Sequence, residues 1–423
     1  MRFLHTADWH LGRTLRGHDL LADQVHALEQ VIALANTMAQ EPLGLQGILI
    51  AGDLYDRFHP SAPAMALLGQ TLAQLAAIAP VFAIPGNHDS AERVGYAADA
   101  LQGAQIHMAG PFSWPPRIIT LPAQAGSPPV DVVLMPYLEP AAVAPLLNLT
   151  PSGIPDRPLG VNETIETHED LWCRINELWE EVLPRDPARL RILVAHAFVR
   201  SGISEASERS LVMGRIHVGG ADTVSAETLL GDRFQYAALG HLHRPQQAGP
   251  EGRVRYPGSL LAYSVDEGSH DHGVVEVVFR DSLTAPEIAF HPIHPRRQVR
   301  IVTGDAQDIR GQADSEVGPR RQDYVLFRFP SREAQASWTL SGLRDIYPNT
   351  LGLEIQDSAA KSPVCSPSPE IRSSLPEISR SPEQWAQHYL DQAVELGIPV
   401  PEAAIAHLTA ALQGMNHRQG IDQ

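Results

Sequence analysis

The 423-residue chain is long enough for two or three domains at roughly 150 residues each, and with 43% hydrophobic and 19% charged residues it is not disordered throughout. Its 32 Lys plus Arg against 49 Asp plus Glu give a formal charge of −17, which argues against a free-standing electrostatic binder of nucleic acid. Nucleic-acid chemistry stays open, because bound divalent cations and a partner subunit reverse the local field where a substrate sits.

Short apolar runs alternate with helical patterns from the N-terminus onward, the signature of a layered α/β domain. Arg2 to Ala7 reads as strand, Leu20 to Ala39 as amphipathic helix, Gly47 to Ala51 as strand, Ala62 to Ala77 as helix and Pro80 to Ile84 as strand. The opening MRFLHTADWHLG has no long apolar core of a signal peptide. Ala64 to Pro85, broken by Gln70, Thr71, Gln74 and Pro80, falls short of a membrane span. Val130 to Met135 is a further strand, and Glu163 to Val182 carries Leu171, Ile175, Leu178 and Val182 at helical spacing. Leu190 to Ala195, Tyr236 to Leu239 and Gly273 to Phe279 continue the strand pattern, and a first domain closes near Pro295.

From Arg296 the order is strand, helix, strand, helix, strand, clearest at Tyr324 to Phe329 and Leu351 to Ile355, which suggests a small α+β unit over 296–357. Ser358 to Arg380, rich in Ser and Pro, has the composition of a flexible linker. Ser381-Pro382-Glu383-Gln384 then supplies an N-cap, a proline at the first helical position and a capping-box Gln. The helix it starts carries a Trp385, Tyr389, Ala393 and Leu396 stripe and stops at Gly397; Ile405, Leu408 and Leu412 mark a second. These helices occupy 381–413, with a tail at 414–423. Two cysteines, Cys173 and Cys365, lie far apart and indicate no disulfide framework. A soluble protein of a reducing, cytoplasmic compartment is expected, and no internal repeat is visible.

Five clusters carry chemistry: Asp8-Trp9-His10, Gly52-Asp53 through Asp56, Gly86-Asn87-His88-Asp89, His196, and Gly240-His241-Leu242-His243. Four follow strands immediately. In an open α/β sheet the loops beyond the carboxyl ends of the strands gather at one edge, so these clusters can share one site. Asp8, His10, Asp53, Asn87, His196, His241 and His243 offer carboxylate, amide and imidazole ligands without thiolate, a set suited to manganese or iron, with zinc as an alternative. With Asp53 as the bridge, Asp8, His10 and His243 serve one ion and Asn87, His196 and His241 a second. Two-metal hydrolytic sites, with ions about 3.5 to 4 Å apart, activate water and clamp both oxygens of an in-line displacement. His88, beside a ligand, is placed to contact a scissile phosphate, with Asp89 orienting it.

The bland alternatives differ in weight. Asp-x-His alone marks any capped turn, and Gly, Asn and Asp alone make turns; the ordered combination is what points to metal. His5, His18, His26 and His59 are read as structural or solvent-facing, His5 as a core residue and His59 as close enough to Asp53 to compete for a substrate role. Arg13, Arg57 and Arg93 follow three of the clusters, where contact with a DNA backbone and plain solvation weigh equally. Asp56 is read as solvated. The Trp385 stripe follows a linker, which favours a partner surface over the chain's own core.

In this order the five clusters resemble the calcineurin-like metallophosphoesterase superfamily. HTADWHLGR, AGDLYDRFHPS, PGNHDS, ALGHLHRPQ and YPGSLLAYSVDE resemble, within it, the SbcD-type nuclease subunits, over Met1 to about Asp281. The resemblance implies a layered β-sandwich core flanked by helices, with the family's metal positions on the seven residues above and its catalytic histidine on His88. It further implies a manganese-dependent DNA nuclease of repair, recombination and replication, with 3′–5′ exonuclease action on duplex ends and endonuclease action on single strands or hairpins. The partner implied is an SbcC-type coiled-coil ATPase, in a heterotetramer built on a homodimer. Residues 296–357 fit the capping domain, and 381–413 the ATPase-binding segment, by position and pattern. Pro111 to Pro129 and Ser358 to Arg380 resemble nothing identifiable. Two other functions compete: a phosphatase or nucleotide phosphodiesterase on small esters, and a scaffold that binds DNA ends without cutting them.

Overall fold

The computed structural model describes residues 1–123, 127–147, 165–200, 223–315 and 318–356. The linker, the C-terminal helices, the tail and Cys365 expected above lie outside these residues. Among the described residues no helix is long and apolar enough to cross a membrane.

The strands that build the fold are β1 (Arg2–Thr6), β2 (Gly47–Ala51), β3 (Val81–Ile84), β4 (Ile106–Met108), β5 (Arg117–Leu121), β6 (Val130–Met135), β7 (Leu190–His196) and β8 (Tyr236–Gly240). They continue with β9 (Gln246–Gln247), β10 (Val254–Tyr256), β11 (Gly273–Val278), β12 (Glu287–Pro292), β13 (Val299–Thr303), β14 (Tyr324–Phe329) and β15 (Thr350–Ile355). Two six-stranded sheets form, ordered β12-β11-β1-β2-β3-β4 and β9-β10-β8-β7-β6-β5. The inner strands β1, β2 and β3 of the first are parallel, as are β6, β7, β8 and β10 of the second.

Period-two alternation explains the layering. In β2, Leu49 and Ala51 face the second sheet, and in β7, Ile192 and Val194 meet them in an inner core with Phe3, Phe82 and Tyr236. The opposite residues, Leu4, Ile48 and Ile50, pack outward against helices α1 (Leu21–Gln40) and α2 (Ala62–Ala76). Leu193, Ala195, Ala237 and Leu239 of the second sheet likewise pack beneath α3 (His168–Val182). Strands covered on both faces read as continuous apolar runs, which is why they stand out in the sequence. This is the mixed α/β sandwich expected of the resemblance.

The α3 helix begins later than its apolar periodicity suggests. Thr167 accepts from the Asp170 N–H, and the Asp170 carboxylate bonds back to the Thr167 N–H, a reciprocal cap. Its buried face is also shifted: Trp172 and Trp179 are buried with Leu171 and Ile175, while Leu178 is only partly buried. Cys173 is exposed and free. Strand β5 runs through the unplaced Pro111–Pro129 tract, and Trp114 packs on Trp179.

Strands β13, β14 and β15 form a third, parallel sheet with helical crossovers between them. Phe327, Phe329, Trp338, Leu343 and Tyr347 build a core on one face, whereas Val299, Tyr324 and Leu326 join the α1 core on the other. The Tyr324 hydroxyl donates to the buried Asp23 carboxylate at 2.9 Å. A short hairpin pairing Thr14–Leu15 with His18–Asp19 reaches the same sheet, through Arg16 to Glu354 at 2.9 Å and His18 Nε2 to the Thr350 carbonyl at 3.2 Å.

Candidate metal centre

All five clusters leave the carboxyl ends of parallel strands: Asp8 and His10 after β1, Asp53 after β2, Asn87 to Asp89 after β3, His196 at the end of β7, and His241 and His243 after β8. Backbone bonds then knit the loops together. Asp8 N–H donates to the Gly52 carbonyl at 3.1 Å, and His10 N–H to the Asp53 carbonyl at 2.9 Å. His241 N–H donates to Asp8 Oδ1 at 2.9 Å, and His88 N–H to Asp53 Oδ1 at 2.9 Å. Such close passage restricts side chains. A Cβ at Gly240 would lie 1.9 Å from the Ala51 carbonyl oxygen, and one at Gly86 2.2 Å from Asp53 Oδ1. Asp8, His10, Asp53 and His241 themselves hold positive φ, at 54°, 43°, 50° and 113°, backbone strain of the kind that gathers at functional sites.

The side chains converge in two groups. Ligand atoms of Asp8, His10 and His243 lie within 4.8 Å of one another, as do those of Asp8, Asp53 and His196. Asn87 Oδ1 completes the second group, 2.9 Å from His196 Nε2 and 3.3 Å from His241 Nδ1. Asp53 Oδ2 stands between them, 3.4 Å from His10 Nε2 and 3.6 Å from His196 Nε2. The structure thus brings together all seven residues singled out as ligands.

The donor set fits a cation. His196 Nδ1 lies 2.9 Å from the Ala51 carbonyl, which can only accept, so Nδ1 carries the proton and Nε2 is a bare lone pair. That lone pair faces Asn87 Oδ1 and Asp53 Oδ2, two further electron-rich atoms. His10 Nε2 and His243 Nε2 face each other at 3.0 Å, while their Nδ1 atoms look toward carboxylates, Asp56 at 3.9 Å and Glu267 at 3.4 Å. Lone pairs converging on one buried volume, with His196 and His243 each backed by an acceptor on Nδ1, are what metal-ligating histidines require.

Electrostatics agree. Burial pushes His241 down to about 3, reinforced by His196. It also holds His10 well below the usual imidazole value, helped by His243, and holds His196 below it against the pull of Asp53. Burial alone would raise Asp53, but His196, His88 and the His88 N–H outweigh it and keep the carboxylate below its ordinary range. His10, His196 and His241 are therefore neutral imidazoles beside the ionised Asp53 carboxylate.

This bears on pH. An unshifted imidazole with a pKa of about 6.5 loses about fourfold in metal affinity at pH 6 through proton competition, so the two that serve one cation lose about 17-fold. With His196 and His241 both depressed, competition at their group begins at lower pH. Manganese titrated into metal-free protein by calorimetry is expected to bind that group less than about threefold more weakly at pH 6 than at pH 8. A loss near 17-fold there would show ordinary, solvated histidines.

His88 is half-buried at the rim. Its Nδ1 bonds the Asp56 carbonyl at 3.0 Å, and its ring packs edge-on against His10 at 4.7 Å between centroids. Asp89, expected to orient it, does something else. Its carboxylate accepts from Leu54 N–H at 2.9 Å, Tyr55 N–H at 2.8 Å and Gly86 N–H at 2.9 Å, three bonds that all go to backbone. Asp89 therefore locks the Asp53 loop to the Asn87 loop, and burial together with Asp53 raises it to about 7. The Asp56 carbonyl aligns His88 in its place.

Asp56 is likewise not simply solvated: its carboxylate pairs with Arg13 at 3.0 Å and is largely buried. Arg13 also lies over the Tyr263 ring at 5.2 Å, so it braces the His10 loop, whereas Arg57, Arg93 and His59 are exposed. His5 is fully buried between the sheets, bonded to the Tyr236 hydroxyl at 3.0 Å and the Leu239 carbonyl at 3.1 Å. Glu267 had no ligand spacing to reveal it. It closes the YPGSLLAYSVDE stretch, and only the fold carries it to His243.

A family model described as calcineurin-like phosphoesterase matches residues 1–245. The chain belongs to that family. Members are metal-dependent phosphoester hydrolases, and the matched span ends just beyond His243, so it contains every candidate ligand. This phosphoesterase therefore places the Asp and His groups that could hold divalent metal at the shared carboxyl edge of its two sheets.

Proposed function

We propose that this phosphoesterase is a DNA nuclease of the SbcD type, cutting duplex ends exonucleolytically and single strands or hairpins endonucleolytically. Two divalent cations, manganese by preference, would be held by Asp8, His10 and His243 and by Asn87, His196 and His241, with Asp53 shared, and would supply Lewis acidity and a water nucleophile. Asp53 and Asp8 keep negative charge fixed at the centre. His88 donates Nδ1–H to the Asp56 carbonyl, so its Nε2 is free to meet the phosphate. In the doubly protonated form it donates from Nε2 to a phosphoryl or leaving oxygen; in the singly protonated form it accepts.

The observation that carries the nucleic-acid reading is the third sheet. It is bonded to the hairpin that starts four residues after His10, through Arg16–Glu354 and His18–Thr350, and so extends the wall beside the metal loop. With exposed Arg57 in the Asp53 loop and exposed Arg93 on the short helix Ala91–Gly95 that follows Asp89, that surface suits a polymer of phosphodiesters better than a small ester. On this reading residues 296–357 are a capping domain and 381–413 dock an SbcC-type ATPase, within a heterotetramer built on a homodimer, in the cytoplasm.

The test is incubation of single-stranded circular DNA and blunt duplex with purified protein and manganese, alone and with the cognate ATPase and ATP. Metal-dependent cleavage of both is expected, and the full chain should co-elute with the ATPase on a sizing column. Intact DNA in all conditions, with rapid turnover of p-nitrophenyl or cyclic nucleotide esters, would instead make it a small-ester phosphodiesterase. DNA binding with no hydrolysis of any ester would make it a scaffold.

A further inference from the structure

We propose that Glu267, on a turn far from the ligand motifs, is a positioning residue that fixes the tautomer and aim of His243. The inference rests on the two-cation reading of the site. Glu267 is fully buried, and such a carboxylate needs hydrogen-bond donors around it. Two are local: Tyr263 N–H donates to Oε2 at 2.8 Å, and the Ser264 hydroxyl to Oε1 at 3.0 Å. The third is His243 Nδ1, 3.4 Å from Oε1. Because a carboxylate only accepts, this contact places the His243 proton on Nδ1. Nε2 is left as a bare lone pair, turned toward His10 Nε2 at 3.0 Å.

The same turn reaches the other imidazole of that group. The Tyr263 hydroxyl donates to the Trp9 carbonyl, and the Tyr263 ring lies edge-on to both His10, at 5.3 Å, and His243, at 5.6 Å. Residues 263–267 therefore brace the Asp8, His10 and His243 group from behind. His196 takes its Nδ1 acceptor from the Ala51 carbonyl instead, so the second group does not depend on this turn. The dependence is one-sided, and that asymmetry is what an experiment can read.

Metal-free protein is titrated with manganese by calorimetry as wild type, Glu267→Ala, Glu267→Gln and His243→Ala. Glu267→Ala is expected to weaken one of two sites by about 10- to 100-fold and to leave the other within about threefold. Glu267→Gln, whose Oε1 still accepts from Nδ1–H, should restore most of the loss. If Glu267→Ala does not fold, Glu267→Met fills the same space without an acceptor and carries the same expectation. Wild-type titration of the Ala or Met variant overturns the proposal, and so does an equal loss at both sites, the mark of general damage. His243→Ala separates the two readings: if it keeps both sites at full affinity, the two-cation assignment itself fails. If it loses one site while Glu267→Ala loses none, only the role of Glu267 falls.

Discussion

Asp53→Ala is expected to lose both cations at once and, with them, phosphoester hydrolysis. Asp53 Oδ2 is the atom that stands between the two groups, 3.4 Å from His10 Nε2 and 3.6 Å from His196 Nε2, while Oδ1 holds the His88 N–H. Loss of an outer partner of a ligand costs about 10- to 100-fold in metal affinity, and a ligand shared by both cations should exceed about 100-fold. Removing the carboxylate also leaves Asp8 as the one carboxylate among the seven candidate ligands to balance two cations. Metal content after dialysis, measured beside hydrolysis of a phosphodiester, checks this. Near-normal metal content would remove Asp53 from the bridging position.

His88→Ala is expected to behave in the opposite way, retaining both cations and DNA binding while turnover collapses. The His88 ring is anchored through Nδ1 by the Asp56 carbonyl, and on the proposed reading its other nitrogen meets the substrate. A positioned acid or base contributes about 10²- to 10⁴-fold, or about 2.7 to 5.5 kcal/mol of barrier. The loss should fall on kcat with KM little changed, as for an interaction made in the transition state. One geometric fact makes the metal measurement indispensable: ligand atoms of His10, Asp56 and His88 also lie within 4.8 Å of one another. A His88→Ala protein that has lost a cation would make His88 a ligand.

The contrast between these two residues shows where sequence reading succeeds. Asp53 and His88 sit in short motifs at the ends of doubly covered strands, and such strands announce themselves as apolar runs. Edge strands do not. Strand β12, exposed along much of its length, and β5, mostly half-buried, carry no such run, and neither was legible. The α3 helix was legible in period but not in phase, because Trp172 and Trp179 outweigh the aliphatic stripe in filling the space beneath the second sheet.

The roles of acidic neighbours were the least legible. Asp89 stands next to His88 in sequence, yet its carboxylate turns to three backbone N–H groups, since a tight loop leaves those donors otherwise unsatisfied. Asp56 reads as one more surface acid until Arg13 and His10 are brought against it. Glu267 lies 24 residues beyond His243, and nothing in its spacing marks it.

The sequence by itself determined the inventory of candidate ligands, the order of the strands that present it and the absence of thiolate from it, because these depend on residue type and local pattern. Only the tertiary structure decided which nitrogen of each imidazole faces the centre, which carboxylate backs it and which loop holds which. Those are set by hydrogen bonds between strands of two different sheets, and a hydrogen bond depends on distance and direction in space, which separation along the chain does not encode.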